Sequence, residues 1–379
     1  MLDMSMFAIN GLIAAYLARQ FGVETFGQYI IITSFVSVLT MFTRGIQTSI
    51  AEMHSNKSMI LEIRSGRIFR SEIQALVFGL KISAIWILFA PLLVSYGNVS
   101  MIPTLSASII PPVASMFAVV VGRLQGSGQF LHWRAALLLS TVIQIPLVFI
   151  ADIFNSPLTL FIIILAIPIS LISVFELRFF RPIGTRFIEH ELKFSLTPGF
   201  VSVLAMSATQ IPLVYARHEI PTDQSAPLIV FIYILGLFIG ISSTLGFFLL
   251  PRYGIKGSPS SYSLKHHWIN SVPLILFFLV YFPIGNRVVG AVIGSSFELR
   301  ATLPFIFSAF LSSLFWSIYS SLIHERLNKF RMKFALGILF IIVIEFFVIN
   351  FFGLQIEIFF VVHALVALLS IIFALFVTK

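Results

Sequence analysis

The stretch FTRGIQTSIAE, residues 42–52, closes a long apolar run that begins near Tyr29, and it sets Arg44 roughly two helical turns inside that run. An ionised side chain in the middle of a bilayer is disfavoured by roughly 3 kcal/mol on insertion scales. Such a residue therefore faces a cavity or an anionic partner, or its long side chain reaches back to the membrane surface. Lys81 poses the same question: it lies nine residues past Glu72, at a depth similar to Arg44. Arg19 and Arg217 close the apolar runs that precede them, where an arginine either anchors a helix at the interface or lines a polar path. Glu345 is the carboxylate set deep in a late apolar run, placed to hold a proton or a sodium ion, to pair with a cation, or to stay protonated in a structural hydrogen bond. Gln47, Gln144 and Gln210 are amides within apolar runs, suited to sugar hydroxyls and equally to helix–helix hydrogen bonds.

These residues need a membrane to give them meaning, and the composition supplies it. Of 379 residues, 58% are hydrophobic and 10% are charged. Mean hydropathy is +1.02, too high for a water-soluble chain of this size. Cysteine is absent, which excludes disulfides and thiolate metal sites. The histidines are scattered; His266-His267 is a loop pair without further ligand spacing, so no metal and no cofactor is expected. No Walker motif is present. No cleavable signal peptide is expected, because Met1 runs almost directly into an apolar segment.

A bilayer core of about 30 Å takes roughly 20 apolar residues as helix. Twelve spans are expected, at about 2–18, 29–52, 73–96, 101–121, 134–152, 157–177, 195–216, 226–250, 268–286, 301–322, 334–352 and 355–377. With the N-terminus cytoplasmic, the inner segments, Arg134 and Lys379 hold 18 of the 24 lysines and arginines. The outer side holds Arg19, Arg217, Arg287 and Arg300, and Arg44 and Lys81 lie within spans. This asymmetry follows the positive-inside rule, places both termini in the cytoplasm and accounts for the net charge of +9 without nucleic acid. All loops are short, which disfavours a polymerase or glycosyltransferase with an extramembrane catalytic domain.

The chain also repeats. Leu17-Ala18-Arg19 and Tyr215-Ala216-Arg217 are offset by 198 residues, and Phe130 and Phe330 by 200. Two six-helix halves of the same orientation are expected, 1–177 and 195–379, joined by a cytoplasmic linker at 178–194. The first span is about five residues shorter than its counterpart, which marks the start as truncated or misassigned. Pro146, Pro168, Pro212 and Pro304 fall in or near spans, where proline bends a helix. Asn56-Lys57-Ser58 and Asn98-Val99-Ser100 match the glycosylation sequon, a frequent coincidence.

LARQFGVETFGQYIIITSF, residues 17–35, resembles the span 1–2 connection of the Wzx-type polysaccharide flippases of the MOP superfamily, through Arg19, Gly22, Glu24, Phe26, Gly27 and Tyr29. GRLQGSGQF, FFLLPRY and IGSSFELRATLPFIF resemble that family's stretches after span 4, at the end of span 8 and before span 10, in the correct order. Gln210 stands where many relatives carry an acidic residue, and Ser225-Ala226-Pro227 where they carry Gly-x-Tyr, so their ion-coupling scheme is not carried over. The resemblance implies an all-α polytopic fold, MATE-like. It implies a transporter, not an enzyme, moving a polyprenyl-pyrophosphate-linked oligosaccharide across a bacterial inner membrane for surface polysaccharide. Membrane lipids, a polysaccharide polymerase and chain-length proteins are the partners it implies. Arginine's planar fork suits phosphate oxygens, so Arg44, Lys81, Arg19 and Arg217 become candidate substrate contacts with Gln47 and Gln210, and Glu345 the candidate ion-coupling residue. The competing reading is a multidrug antiporter of the same superfamily, which wants anionic cavity residues.

Overall fold

In the computed structural model the described residues are 2–55, 70–126, 129–153, 158–179, 199–200, 203–204, 207, 210–213, 215–218, 220, 225, 227–236, 238–239, 271–292, 294, 302–326, 332–352 and 356–377. All regular structure among them is helical. Four stretches are long and apolar enough to cross a membrane by themselves: Glu24–Gln47, Ile73–Gly97, Met101–Gly126 and Ile358–Phe376. The chain divides into two compact units, Met1–Val203 and Leu204–Lys379. Residues 180–194 of the expected linker lie outside the described residues.

The first unit opens with α1, Leu2–Thr40, which breaks at Gly22 (φ 70°, ψ −178°). Here the expected loop of about nine residues is replaced by a single-residue break. A positive φ is cheap only for glycine, and the residues on either side continue as helix. The run expected as one helix at 29–52 divides at Met41, where α2, Phe42–Ser55, begins. Hydroxyls stripe this approach. Thr33 donates to the Tyr29 carbonyl, Ser37 to Thr33, Thr40 to Ser37 and Thr43 to Thr40. Such back-bonding bends helices and satisfies carbonyls that water cannot reach.

α3, Arg70–Gly97, follows, then α4, Met101–Ser106, a 3₁₀ turn at Ala107–Ile109, and α5, Ile110–Gly126. The span expected at 101–121 is thus interrupted, and Pro111-Pro112 is the physical reason. Neither proline has an N–H, so the carbonyls one turn earlier lose their partners. α3 supplies a replacement, since Ser83 donates its hydroxyl to the Ser108 carbonyl; earlier in the same interrupted span Trp86 Nε1 donates to the Thr104 carbonyl at 2.6 Å. The helices approach closely enough that a Cβ on Gly79 would lie 2.4 Å from Pro112 Cα. α5 and α2 are equally tight, since a Cβ on Gly122 would lie 2.6 Å from the Gln47 carbonyl oxygen. Ile46, Ile50, Ala75, Ala118 and Val119 form the core between α2, α3 and α5. α6, Phe130–Ile153, and α7, Leu158–Phe179, complete the unit.

The second unit includes a helical stretch at Pro227–Gly236 and then α8, Val272–Val280. A π-helical turn, Tyr281–Gly285, joins α8 to α9, Asn286–Val292. Pro283 cannot donate in this turn, and Gly285 leaves room for the Tyr281 ring, which a Cβ would meet at 2.2 Å. α10, Leu303–Arg326, α11, Met332–Phe352, and α12, Ile356–Val377, follow, with α12 packed against both α10 and α11. The core of this unit is aromatic: Phe231 meets Phe278, Tyr281 and Phe305 at ring centroid distances of 6.4, 5.2 and 5.7 Å.

Candidate functional site

The arrangement that could do chemistry in the second unit is a buried carboxylate against a buried imidazole. On α11, Phe334, Ile338, Glu345 and Ile349 are buried, a spacing that lays them along one helix face. On α12 the buried set includes Phe359, Phe360, His363, Ala367, Ser370 and Ala374. Where these faces meet, His363 Nδ1 contacts Glu345 Oε1. The two residues are 2% and 1% exposed, so the pair is shut away from solvent.

Aromatic rings enclose the imidazole. Phe359 stacks on it with centroids 5.8 Å apart and planes 15° from parallel, and Trp316 of α10 lies at 5.1 Å. Tyr215 in turn stacks on Phe359 at 4.4 Å, and Trp316 meets Tyr319 edge-on. Both rings lie within the range at which a cationic imidazolium is attracted to an aromatic face. The surroundings are polar as well as aromatic. Glu345 Oε2, Trp316 Nε1, Ser317 Oγ and Ser370 Oγ are buried atoms without a hydrogen-bond partner in the structure. Buried polar atoms normally find partners, so the unmet Glu345 Oε2 beside the His363 contact singles out this pair.

His363 is the candidate residue that inspection of the sequence misses. A signal for it exists. α11 ends at Phe352 and α12 begins at Ile356. Glu345 lies seven residues before that end and His363 seven after that start. In an antiparallel hairpin equal distances from the turn bring two residues to one level, and seven residues is about two turns on each helix. The histidines had been weighed as metal ligands, and none was weighed as the mirror partner of a carboxylate.

The first unit holds the other candidates. Arg44 lies in the first turn of α2, three residues past the break at Met41; its side chain is outside the described residues. Gln47, one turn later, donates Nε2 to Gln125 Oε1 at 3.0 Å, which ties α2 to α5. This is the helix–helix use of an amide weighed against sugar binding. Lys81 is on the exposed side of α3 with Val77, Leu80 and Ile85, opposite the buried Gly79, Ile82, Ser83 and Trp86. Arg19 is exposed on α1, three residues before the Gly22 break. Arg123, not singled out from sequence, is 3% exposed in the last turn of α5. In the second unit Arg217 is 5% exposed and Gln210 is half-buried. The structure therefore joins Gln47 to Gln125 and Glu345 to His363. Among the described residues no three His, Asp or Glu side chains gather to hold a metal ion.

No family model matches the chain, and no curated protein matches it. Solved structures do. The eukaryotic MATE transporter AtDTX14 matches with a TM-score of 0.70 at 14% identity, covering 99% of this chain and 92% of that one. The lipid II flippase MurJ, in an inward closed conformation, matches at 0.66 and 14% identity, over 99% of this chain and 86% of that. A MOP superfamily transporter from Pyrococcus furiosus, whose binding pocket is described as reversed in polarity, matches at 0.60 and 12%, over 100% and 94%. Identities this low carry the architecture and nothing finer: the chain has the all-α, polytopic membrane fold shared by MATE transporters and MurJ.

Proposed function

We propose that the protein is a flippase that carries a polyprenyl-pyrophosphate-linked oligosaccharide across a bacterial inner membrane by alternating access between its two halves. The observation that carries this reading is the inventory of buried charge. Among the described residues the charged side chains buried in the fold are Arg123, Arg217 and Glu345, and Glu345 already faces His363. Buried guanidiniums suit an anionic cargo by their chemistry, since the planar fork matches phosphate oxygens. A fold neighbour named as a lipid II flippase agrees with a lipid-linked cargo. In this reading Arg217, Arg44, Lys81 and Arg19 guide the pyrophosphate, Gln47 and Gln210 meet hydroxyls, and a polymerase and chain-length proteins take the product.

The test uses the purified full chain in liposomes with a fluorescent polyprenyl-pyrophosphoryl disaccharide, its leaflet position read by a membrane-impermeant quencher. The protein is expected to equilibrate the probe between leaflets. Arg217→Gln is expected to slow this about tenfold, with Arg217→Lys in between, in line with the loss of one charge-assisted contact. A wild type that leaves the probe in one leaflet sinks the proposal.

One observation favours a second reading. A buried carboxylate–imidazole pair suits an ion-driven antiporter of organic cations, and two fold neighbours are named as multidrug resistance MATE family transporters. Uptake of ethidium against a pH gradient, with no movement of the lipid probe, would install that reading in place of the first.

A further inference from the structure

We infer that the Glu345–His363 pair is a binding site for a single proton, and that this proton, not sodium, is the ion that drives the conformational cycle. The inference rests on the reading of the chain as a transporter and names its energy source.

The argument begins with charge balance. A carboxylate and an imidazole sharing one proton are neutral together, as a carboxylate with an imidazolium or as a carboxylic acid with a neutral ring. Either form suits a site from which both residues are shut away from water. Removing the proton leaves one uncompensated negative charge in the same place, which burial strongly disfavours. The proton can therefore leave only when α11 and α12 part enough to admit water. Proton release and helix movement become one event, which is what coupling requires. The step balances simply: water on one side of the membrane gives a proton to the pair, the hairpin closes over it, and water on the other side receives it.

The donor set argues against sodium. Sodium is a hard cation that wants several oxygens, whereas the atom that meets Glu345 Oε1 is a ring nitrogen, and it occupies the position a metal ion would take. Once protonated, that ring repels any cation. The other groups set against the imidazole are the ring faces of Trp316 and Phe359. Trp316 of α10 and Phe359 of α12 face the imidazole, and the titratable Tyr319 of α10 lies behind Trp316, edge-on to its ring. Tyr215 reaches Phe359 from a helical turn that also carries Arg217 and His218. Glu345 Oε2, buried and without a partner, is the lone-pair face through which an entering water can approach.

Trp316 provides a readout that needs no substrate. A protonated imidazole quenches a neighbouring indole, and the rings are 5.1 Å apart. The Trp316 signal is the fluorescence of the wild-type protein in detergent minus that of Trp316→Phe. Over a full pH series it is expected to change in one single-proton step. Exchanging choline for sodium is expected to leave that step where it is. The step is expected to vanish in His363→Gln and to move in Glu345→Gln; both substitutions are close to isosteric, and the sodium comparison needs no variant. A trace flat over the whole range, a step displaced by sodium, or a step unmoved in Glu345→Gln overturns the inference. In liposomes, a pH gradient and not a sodium gradient is expected to accumulate the lipid probe severalfold. Failure of the wild type to move the probe at all counts against the proposed cargo alone, because the fluorescence experiment contains no lipid substrate.

Discussion

The two units use opposite materials to hold helices together. In the first, backbones nearly touch: Gly79 against Pro112 and Gly122 against the Gln47 carbonyl leave no room for a methyl group. At those crossings the Ser83 hydroxyl donates to the Ser108 carbonyl, and the Gln47 and Gln125 side chains bond to each other. In the second, rings fill the space between helices, from Phe278 and Phe231 through Phe305, Phe360 and Phe359 to His363 and Trp316. Close backbone contact is how helices associate where lipid removes the hydrophobic drive, and it makes a rigid seam. An aromatic interior is looser in geometry and tolerates buried polar atoms among the rings. The difference teaches that close backbone contact and ring packing are two ways for one chain to hold helices together.

That contrast can be broken at four places. The largest effect is expected from Gly79→Leu or Gly122→Leu. Each forces backbone apart, so folded protein should be lost from the monodisperse size-exclusion peak in detergent. Next comes the buried pair. Glu345→Ala and His363→Ala should each destabilise by roughly 3–5 kcal/mol, because each strands a buried polar partner. The double substitution should cost clearly less than the sum, and an additive thermal-melt cycle would show that the two residues do not interact. Phe231→Ala removes the hub of the ring network and should cost about 3–5 kcal/mol as a cavity, while Phe231→Leu should recover most of it. The smallest effect is expected from Gln47→Leu, about 1 kcal/mol, the size of one interhelical hydrogen bond in a membrane. A Gln47→Leu loss as large as that of the Gly122 variant would mean that the amide, and not close approach, holds α2 to α5.

Much of this architecture is legible from hydropathy. α3, α6, α7, α10, α11 and α12 begin and end within about four residues of the spans expected for them, because a bilayer imposes one length on an apolar helix. The helix breaks are harder to see. Gly22 stops a helix by one dihedral, and no change of hydropathy marks it. Pro111-Pro112 is visible as a pair, but whether it ends a span depends on Ser83 and Trp86, nearly thirty residues earlier. The site divides the same way. Glu345 stands out because a carboxylate in an apolar run is expensive. His363 does not stand out, since its meaning lies in a partner on the next helix. The cationic candidates were chosen one at a time by charge, and charge says nothing about which face of a helix a residue occupies; Lys81 is on an exposed face and Arg217 is buried.

The double proline also carries a consequence for biogenesis. A span with carbonyls orphaned at its middle is a poor passenger for membrane insertion, because lipid offers those oxygens nothing. Synthesis runs from the N-terminus, so α3, with Ser83 and Trp86 already in place, precedes α4 and α5 out of the ribosome. The donor for the Ser108 carbonyl is thus already on the chain when the broken span arrives.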